Sequence, residues 1–337
     1  MNDQTPYIFI PDYMITFRCI AGDCRHSCCI GWEIDIDEDS LFRYKSTEGA
    51  FADLFSRYIS ESEDGSACFL LQGEEERCPF LNERNLCDLI LNLGEDSLCQ
   101  ICRDHPRFRN EIGSRTEMGL GLCCEEAARI ILFSDHPFRF GKWKEGDKKE
   151  NWTEDPDPLS GLTEKDSSFS RDLLLFRNEL FTILNEPVIP FSSRLEKICE
   201  KSRVAFPSVD FRDWSRFLLE LERLDPSWDK ELILLQNAPE ISFSDEFFSS
   251  TAASSLLSYF LFRHIPGAQD DGLLTERVLF GIVSTLLLCA LFSIHREKEG
   301  RLSPEIQIEL SRLFSSEIEY SDENIPLILD RIHDLYL

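Results

Sequence analysis

The sequence predicts a mainly α-helical protein in which a small cysteine-rich α+β metal-binding domain is followed by an all-helical domain. Three observations carry that reading. All but Cys199 and Cys289 of the 13 cysteines lie in the first 124 residues. The same region holds short alternating and hairpin patterns, and the second half repeats apolar residues at helical spacing. The expected boundaries are a cysteine-rich domain over 1–133, a charged linker over 134–168 and a helical domain over 169–337.

At 337 residues and 42% hydrophobic content, the chain is long and apolar enough for two packed cores. Its 62 acidic against 35 basic side chains give a net charge of -27. That charge repels nucleic acid and favours basic partners. The opening "MNDQTPYIFIPDYMITF" has no basic segment followed by an apolar one, so a cytoplasmic protein is expected. The run "VLFGIVSTLLLCALFSI", residues 278 to 294, is at the short end of the spanning range and contains Ser284, Thr285 and Ser293. A buried core helix is expected there, and no membrane partner.

The first element is "FRCIAGDCRHSCCIGW", which places Cys19, Cys24, Cys28 and Cys29 close together. In a reducing compartment disulfides do not persist, so clustered thiols point to a metal. The choice of metal stays open on spacing. Zinc modules show two C-x-x-C knuckles, and here only Cys99 and Cys102 form one. Cys19 and Cys24 have the first gap of a plant-type ferredoxin, but the next gap ends in the doublet Cys28-Cys29. Cys24 and Cys28 have the first gap of the radical motif that cleaves S-adenosylmethionine, but Gly31 or Trp32 stands where its third cysteine belongs.

After the thiols, "WEIDID" alternates Trp32, Ile34 and Ile36 with acidic residues, which predicts a half-buried strand. "FRNEI" and "RTEMGL" flank Gly113-Ser114, a hairpin signal between Cys102 and Cys123 that would bring those two thiols closer. "CEEAARIILF" reads as a helix whose positive end suits Glu125 and Glu126, and would favour a thiolate at Cys123. Residues 134–168 are charged and rich in proline and glycine, the pattern of a solvated linker or mobile surface segment. Helices follow in "SRDLLLFRNELFTIL", "DWSRFLLELERL", "SSLLSYFLFRHI" and the apolar run, with prolines between them.

Other candidates carry less. His26 and His105 stand beside cysteines, as ligands, acid/base groups or structural residues, and His264, His295 and His333 read as helix-end or surface residues. Arg103 and Arg107, in "CRDHPR", have the chemistry to clamp a carboxylate, and equally to form ordinary ion pairs. There is no G-x-G-x-x-G fingerprint of a nucleotide-binding fold, and no residue is nominated as a catalytic base.

The opening thiol stretch, "CPFLNERNLCDLILNLGEDSLCQICRDHPRF" and "EMGLGLCCEEAARIIL" together resemble the flagellin lysine N-methylase family, FliB, and more distantly the CxxCxxCC zinc- or iron-chelating proteins. "LLSYFLFRHIPGAQDDGLLTERVLF" and "FSSEIEYSDEN" extend the likeness toward the C-terminus. The family pattern maps onto Cys19, Cys24, Cys28, Cys29, Cys78, Cys87, Cys102 and Cys123, with Gly31-Trp32, Pro79-Phe80-Leu81, Arg103, Pro106-Arg107 and Glu125 to Ala127. Cys68, Cys99 and Cys124 fall outside it, and Tyr320 stands where the family usually has histidine. The resemblance implies a protein-lysine N-methyltransferase acting on flagellin. It implies S-adenosylmethionine as donor, with Arg103 and Arg107 the candidates of this chain to meet it, and an iron-sulfur cluster in the cysteine domain, expected to be 4Fe-4S, with those eight cysteines as candidate ligands and zinc as the alternative metal. The competing reading is a non-enzymatic metal protein: a cluster carrier, a redox sensor or a zinc-built interaction scaffold.

Overall fold

A computed structural model describes residues 7–144, 148 and 151–337 of the protein. In chain order the elements are β1 (Tyr7–Pro11), α1 (Tyr13–Thr16), α2 (Glu38–Lys45), α3 (Ala50–Tyr58), β2 (Ile59–Glu61), β3 (Ala67–Phe69), α4 (Asp88–Leu93), α5 (Gln100–Asp104), β4 (Arg107–Ile112), β5 (Arg115–Leu120), α6 (Glu125–Leu132), β6 (Phe140–Lys144) and β7 (Thr153–Glu154). Ten helices complete the chain: α7 (Ser168–Leu184), α8 (Phe191–Lys201), α9 (Phe211–Leu218), α10 (Ser227–Asn237), α11 (Asp245–Ser249), α12 (Ala253–His264), α13 (Ala268–Asp271), α14 (Leu274–Glu299), α15 (Pro304–Glu319) and α16 (Asn324–Tyr336). The protein is mainly α. It divides into two compact units, Arg18–Arg107 and a larger one made of the described residues up to Phe17 together with Phe108–Leu337.

The larger unit is built on a five-stranded sheet of order β4-β5-β1-β6-β7. β1 runs parallel to β5 and antiparallel to β6, and β7 pairs antiparallel with β6. The β4–β5 turn falls on Gly113, whose φ of 57° lies in the left-handed region that glycine tolerates best. Asp166 fastens this turn, accepting from the Ser114 N–H at 2.8 Å and the Thr163 N–H at 2.5 Å. One hydrophobic core runs from Ile8 and Ile10 of β1 through Met118 and Leu120 of β5 to Leu257, Leu288 and Ile332 in the helices. The most apolar window of α14 is 89% buried inside this core, so the long apolar run is a core helix of the fold.

The division departs from the expected boundaries for a physical reason. β1 contributes Ile8, Phe9 and Ile10, all buried, to a sheet whose other strands begin only at Arg107. Long-range pairing leaves no local sequence signal. The stretch expected as a linker, 134–168, supplies β6 and β7 to that sheet. Part of it is engaged: Lys142 meets Asp155 at 3.3 Å, and the carbonyls of Pro158 and Ser160 accept from Arg115 at 3.1 and 2.9 Å. Within the expected linker, residues 145–147, 149 and 150 lie outside the described residues.

The smaller unit has a modest core of Ile34, Ile36, Tyr44, Phe55, Ala67, Phe69, Phe80 and Leu89, joined by the thiols of Cys78 and Cys99. Tyr44 stacks on Phe55 with ring centroids 4.3 Å apart, and Phe80 meets Phe69 and Phe55 at 5.0 and 5.3 Å. "WEIDID" forms no regular strand. Its alternation nevertheless holds, because Ile34 and Ile36 point into this core and pair with the β2–β3 hairpin through Ile36 N–H to Ala67 O and Phe69 N–H to Ile34 O, at 2.8 and 3.0 Å. The segment stops being extended at Asp37, whose side chain accepts the Ser40 N–H at 2.9 Å and caps α2.

In the larger unit, fully buried Glu117 of β5 accepts from Arg115 at 2.8 Å and from Arg177 of α7 at 2.6 and 2.8 Å. Burial alone would raise its pKa, but the two guanidiniums outweigh that and hold the carboxyl below its ordinary range. Glu117→Ala leaves two buried cations without their counter-charge, and is expected to cost about 3–5 kcal/mol. A urea midpoint within error of wild type would show that the triad does not tie α7 to the sheet.

Candidate functional site

The thiols of the smaller unit occupy two environments. Cys19 and Cys28 are exposed, and Cys24 is half-buried. The Cys19 sulfur accepts the Ala21 N–H at 3.4 Å, and the Cys24 thiol donates to the His26 carbonyl at 3.3 Å, so both are engaged within their own loop. Cys29, Cys87 and Cys102 pack against the core that contains Cys78 and Cys99. Backbone pairing joins the segments of three of them, Cys29, Cys78 and Cys87. The Cys78 N–H donates to the Cys29 carbonyl at 2.8 Å, Ile30 bridges Arg77, and Leu81 bridges Cys87.

The five thiols sense one another. Contact with the Cys28 thiol, against the opposing effect of burial, brings Cys29 down to about 7. Cys78 is pushed up to about 12, by burial first and then by Cys29, Cys87 and Cys99. Burial chiefly raises Cys87. Cys99 and Cys102 interact side by side, which lowers Cys99 and raises Cys102, and Cys29 and Cys78 raise Cys102 further. Among the described residues, which include all 13 cysteines, there is no disulfide.

The donor chemistry of this core suits a metal–thiolate group, since soft thiolates are the ligands of zinc and of iron-sulfur clusters, and binding releases the thiol protons. Among the described residues, no three Cys, His, Asp or Glu side chains already stand close enough to hold one ion. The thiols are gathered but not closed. Of the histidines beside them, His105 packs against Trp32 with ring centroids 6.4 Å apart, and burial, followed by Arg107, lowers it to about 4. Arg103 is exposed at the end of α5, and Arg107 donates to the Arg103 carbonyl at 2.9 Å, in the manner of a helix C-cap.

Cys123 belongs to the larger unit and has its own surroundings. The expected helix is present as α6, with Cys124 rather than Cys123 as its N-cap residue. Burial pushes the Cys123 thiol up to about 12, opposed by the Tyr320 hydroxyl and the Arg263 guanidinium. Arg263 lies over the rings of Phe108 and Tyr320 at 4.8 and 4.9 Å, and donates to the Tyr259 hydroxyl at 2.8 Å. That hydroxyl donates to buried Glu319 at 2.8 Å and accepts the Leu122 N–H at 3.2 Å. His264 completes the network with Nε2 2.6 Å from Glu319. A side chain at Gly121 would run into Tyr320, Arg263 and the Cys123 sulfur, so the backbone passes directly beneath the network.

Sequence reasoning missed this network. His264 was expected at a helix end and is there, but buried. The available signal was the four-residue spacing of Tyr259 and Arg263, which puts both on one helix face. Their partner Glu319 is some sixty positions away and leaves no local trace.

Similarity to known proteins is confined to part of the chain. It is 25% identical over 126 residues to a protein named Lysine-N-methylase from Salmonella typhimurium, covering 36% of this chain and 31% of that protein. It is 27% identical over 126 residues to a Lysine-N-methylase from Salmonella choleraesuis, again covering 36% of this chain and 31% of the relative. It is 24% identical over 138 residues to the flagellar biosynthetic protein FliU of Salmonella muenchen, covering 40% of this chain and 82% of that protein. The chain thus spans under a third of the length of the two methylases it matches. No family model matches it, and no solved structure does.

The buried network makes stability depend on pH. Burial lowers the His264 pKa below its ordinary 6.5, so the unfolded chain takes up a proton that the folded imidazole refuses. Arg263 and His264 hold Glu319 below its ordinary 4.5 despite the raising effect of burial. Both contributions are complete above the unfolded values and are lost on acidification, that of His264 first. Between about pH 7.5 and about pH 5.5 the urea stability of the wild type should fall, and His264→Gln should reduce that fall by about 1 kcal/mol. Identical pH profiles would mean that folding leaves the His264 pKa unchanged, and a steeper fall in the variant that His264 carries its proton in the fold.

Proposed function

We propose that this chain, a distant relative of the lysine-N-methylase family called FliB, transfers methyl groups to lysine side chains of flagellin. The observation that carries the proposal is the similarity to two proteins named Lysine-N-methylase and to one named as a flagellar biosynthetic protein. The gathered thiols of the smaller unit support it. In this reading the methyl donor is S-adenosylmethionine, and an iron-sulfur cluster is held by Cys29, Cys78, Cys87 and Cys102, with Cys19, Cys24 and Cys28 on the adjoining loop. Such a cluster supplies a soft, redox-active metal centre when bound. Cys123, engaged by Tyr320 and Arg263, is assigned a structural role in the larger unit.

The residues have three tasks in this reading. Arg103 and Arg107 receive the donor's carboxylate, a role suited to the planar guanidinium fork. The acidic surface, with its net charge of -27, draws in a lysine-bearing partner. The site must also deliver the lysine amine in its neutral form. The amine's reference pKa is about 10.4, so desolvation or a base is needed, and holding it in line with the donor methyl is the larger contribution. The reaction is placed in the cytoplasm, where clustered thiols stay reduced.

The test is labelled methyl transfer to native flagellin by anaerobically prepared full-length protein, with donor and reductant present. Label is expected on surface lysines, located by mass shifts of tryptic peptides. Cys102→Ser should lower it at least tenfold, in line with the ~10–100-fold losses that follow damage to the support of a metal site, and Cys289→Ser should retain it. No label on any lysine, with no binding of the donor, would leave a non-enzymatic metal protein as the better reading.

A further inference from the structure

We propose that a cleft of the larger unit, between residues 205–208, the start of α9 and the end of α16, receives the side chain of a methylated lysine carried by a protein. Its ligand is the product of the methyl transfer proposed above, on which reading the inference rests, and it adds a second site that holds this product.

Shape and composition come first. The cleft has a volume of about 320 Å³, and Phe206, Pro207, Trp214 and Tyr336 line it together with Asp210 and Asp213. That volume stands at the lower end of the ~300–1,000 Å³ of small-molecule sites, room for one long side chain. Aromatic faces attract a cation through their ring quadrupole, and rings gathered around an ammonium favour one whose methyl groups have displaced its water. Unmodified lysine is compact and strongly hydrated, and suits such a place less well. This corner of the fold already uses the attraction once: the Arg331 guanidinium lies over Trp214 and Phe217 at 5.6 and 4.5 Å, and pairs with Asp213.

The second observation is what stays unpartnered once Arg331 is in place. Asp213 is taken by Arg331 and, at 4.0 Å, by Arg216. Asp210 is not. It caps α9 through Oδ1, which accepts the Arg212 and Asp213 N–H groups at 3.0 and 3.1 Å, and its other oxygen accepts nothing among the described residues. The Phe206 ring is 47% exposed, with no ring or cation over it among the described residues. The Tyr336 ring is equally bare, although its hydroxyl is held in place by Trp214 Nε1 at 2.9 Å. Burial first, then Asp213 and Asp210, raise the pKa of that hydroxyl, so ring and carboxylates share one space. Two bare rings and one free carboxylate oxygen suit an ammonium that keeps a single N–H: a dimethylated lysine donates it to Asp210 and lays its methyl groups on Phe206 and Tyr336.

The test measures binding of short fluorescein-labelled peptides, identical except for one residue that is dimethyllysine, lysine or leucine, by fluorescence polarisation with no methyl donor present. Full-length wild type, Phe206→Ala, Asp210→Asn and Phe42→Ala are compared. Wild type should bind dimethyllysine at least ~3-fold more tightly than lysine, and leucine least. Phe206→Ala and Asp210→Asn should each weaken dimethyllysine binding at least ~3-fold. The first removes a ring already half in solvent, and the second keeps the helix cap, because asparagine caps as well as aspartate. Phe42→Ala, an exposed ring of the smaller unit, should match wild type. Equal binding of the dimethyllysine and leucine peptides, or wild-type affinity in either cleft variant, overturns the proposal. Binding of tetramethylammonium chloride with none of the peptides marks a small-molecule site and overturns the protein ligand. No step of methyl transfer is measured, so a chain that holds dimethyllysine through Phe206 and Asp210 keeps this cleft even if it methylates nothing. A methylating chain that binds no peptide loses the cleft alone.

Discussion

The smaller unit is short of hydrocarbon, and its organisation depends on that shortage. Ten side chains make up its buried core, and two of them are the thiols of Cys78 and Cys99. Small cores of this kind rarely offset the entropy of ordering the chain, and they are usually helped by disulfides or a metal. There is no disulfide among the described residues, although three more thiols pack against the same core. The remaining contacts are arranged around that fact. The Tyr44, Phe55, Phe69 and Phe80 rings form one side of the core, and Asp37, Arg43 and Tyr44 pin the strip that carries Cys99 and Cys102. A group that bridges the thiols would therefore stabilise the fold directly, because its binding energy is available only to the ordered chain.

The larger unit faces the opposite situation. Its apolar core is extensive, and polar groups enter it only with partners. Glu117 is neutralised by Arg115 and Arg177, and Glu319 by Arg263 with hydrogen bonds from Tyr259 and His264. Buried networks of this type add little net stability when intact and cost a great deal when one member is removed, so they act mainly to fix which elements meet. Here they join α7 to β5, and α12 to α15 and to the turn before α6. Cys123 sits in that turn, where burial raises its thiol against the lowering effect of the Tyr320 hydroxyl and the Arg263 guanidinium.

Local patterns were readable from the sequence, and distant pairings were not. The β4–β5 hairpin, α6, α7, α12 and the burial of α14 follow from turn residues and periodicity within a few positions. The alternation of Ile34 and Ile36 correctly gave their burial, although the segment pairs too briefly to count as a strand. β1 joins the sheet of the larger unit through partners, among them Thr116 and Trp143, that lie far along the chain and leave no local signal. The charged stretch beyond Ser134 looked solvated, since nothing local says that Asp155 and Asp166 are consumed by a lysine and by turn N–H groups. The thiols show the same limit. Spacing set Cys99 apart from the resemblance, and only the packing of α2 against residues 96–100 puts it beside Cys78 and Cys102.

In the proposed function, the thiols of residues 18–107 form a metal–thiolate centre on which this part of the chain depends. The most direct measurement is elemental analysis for iron, zinc and acid-labile sulfide on full-length protein purified without exposure to oxygen, read alongside visible absorption. Bound iron with matching sulfide, and a brown colour from sulfur-to-iron charge transfer, is the predicted result. A soluble, folded protein with neither metal nor sulfide would contradict it.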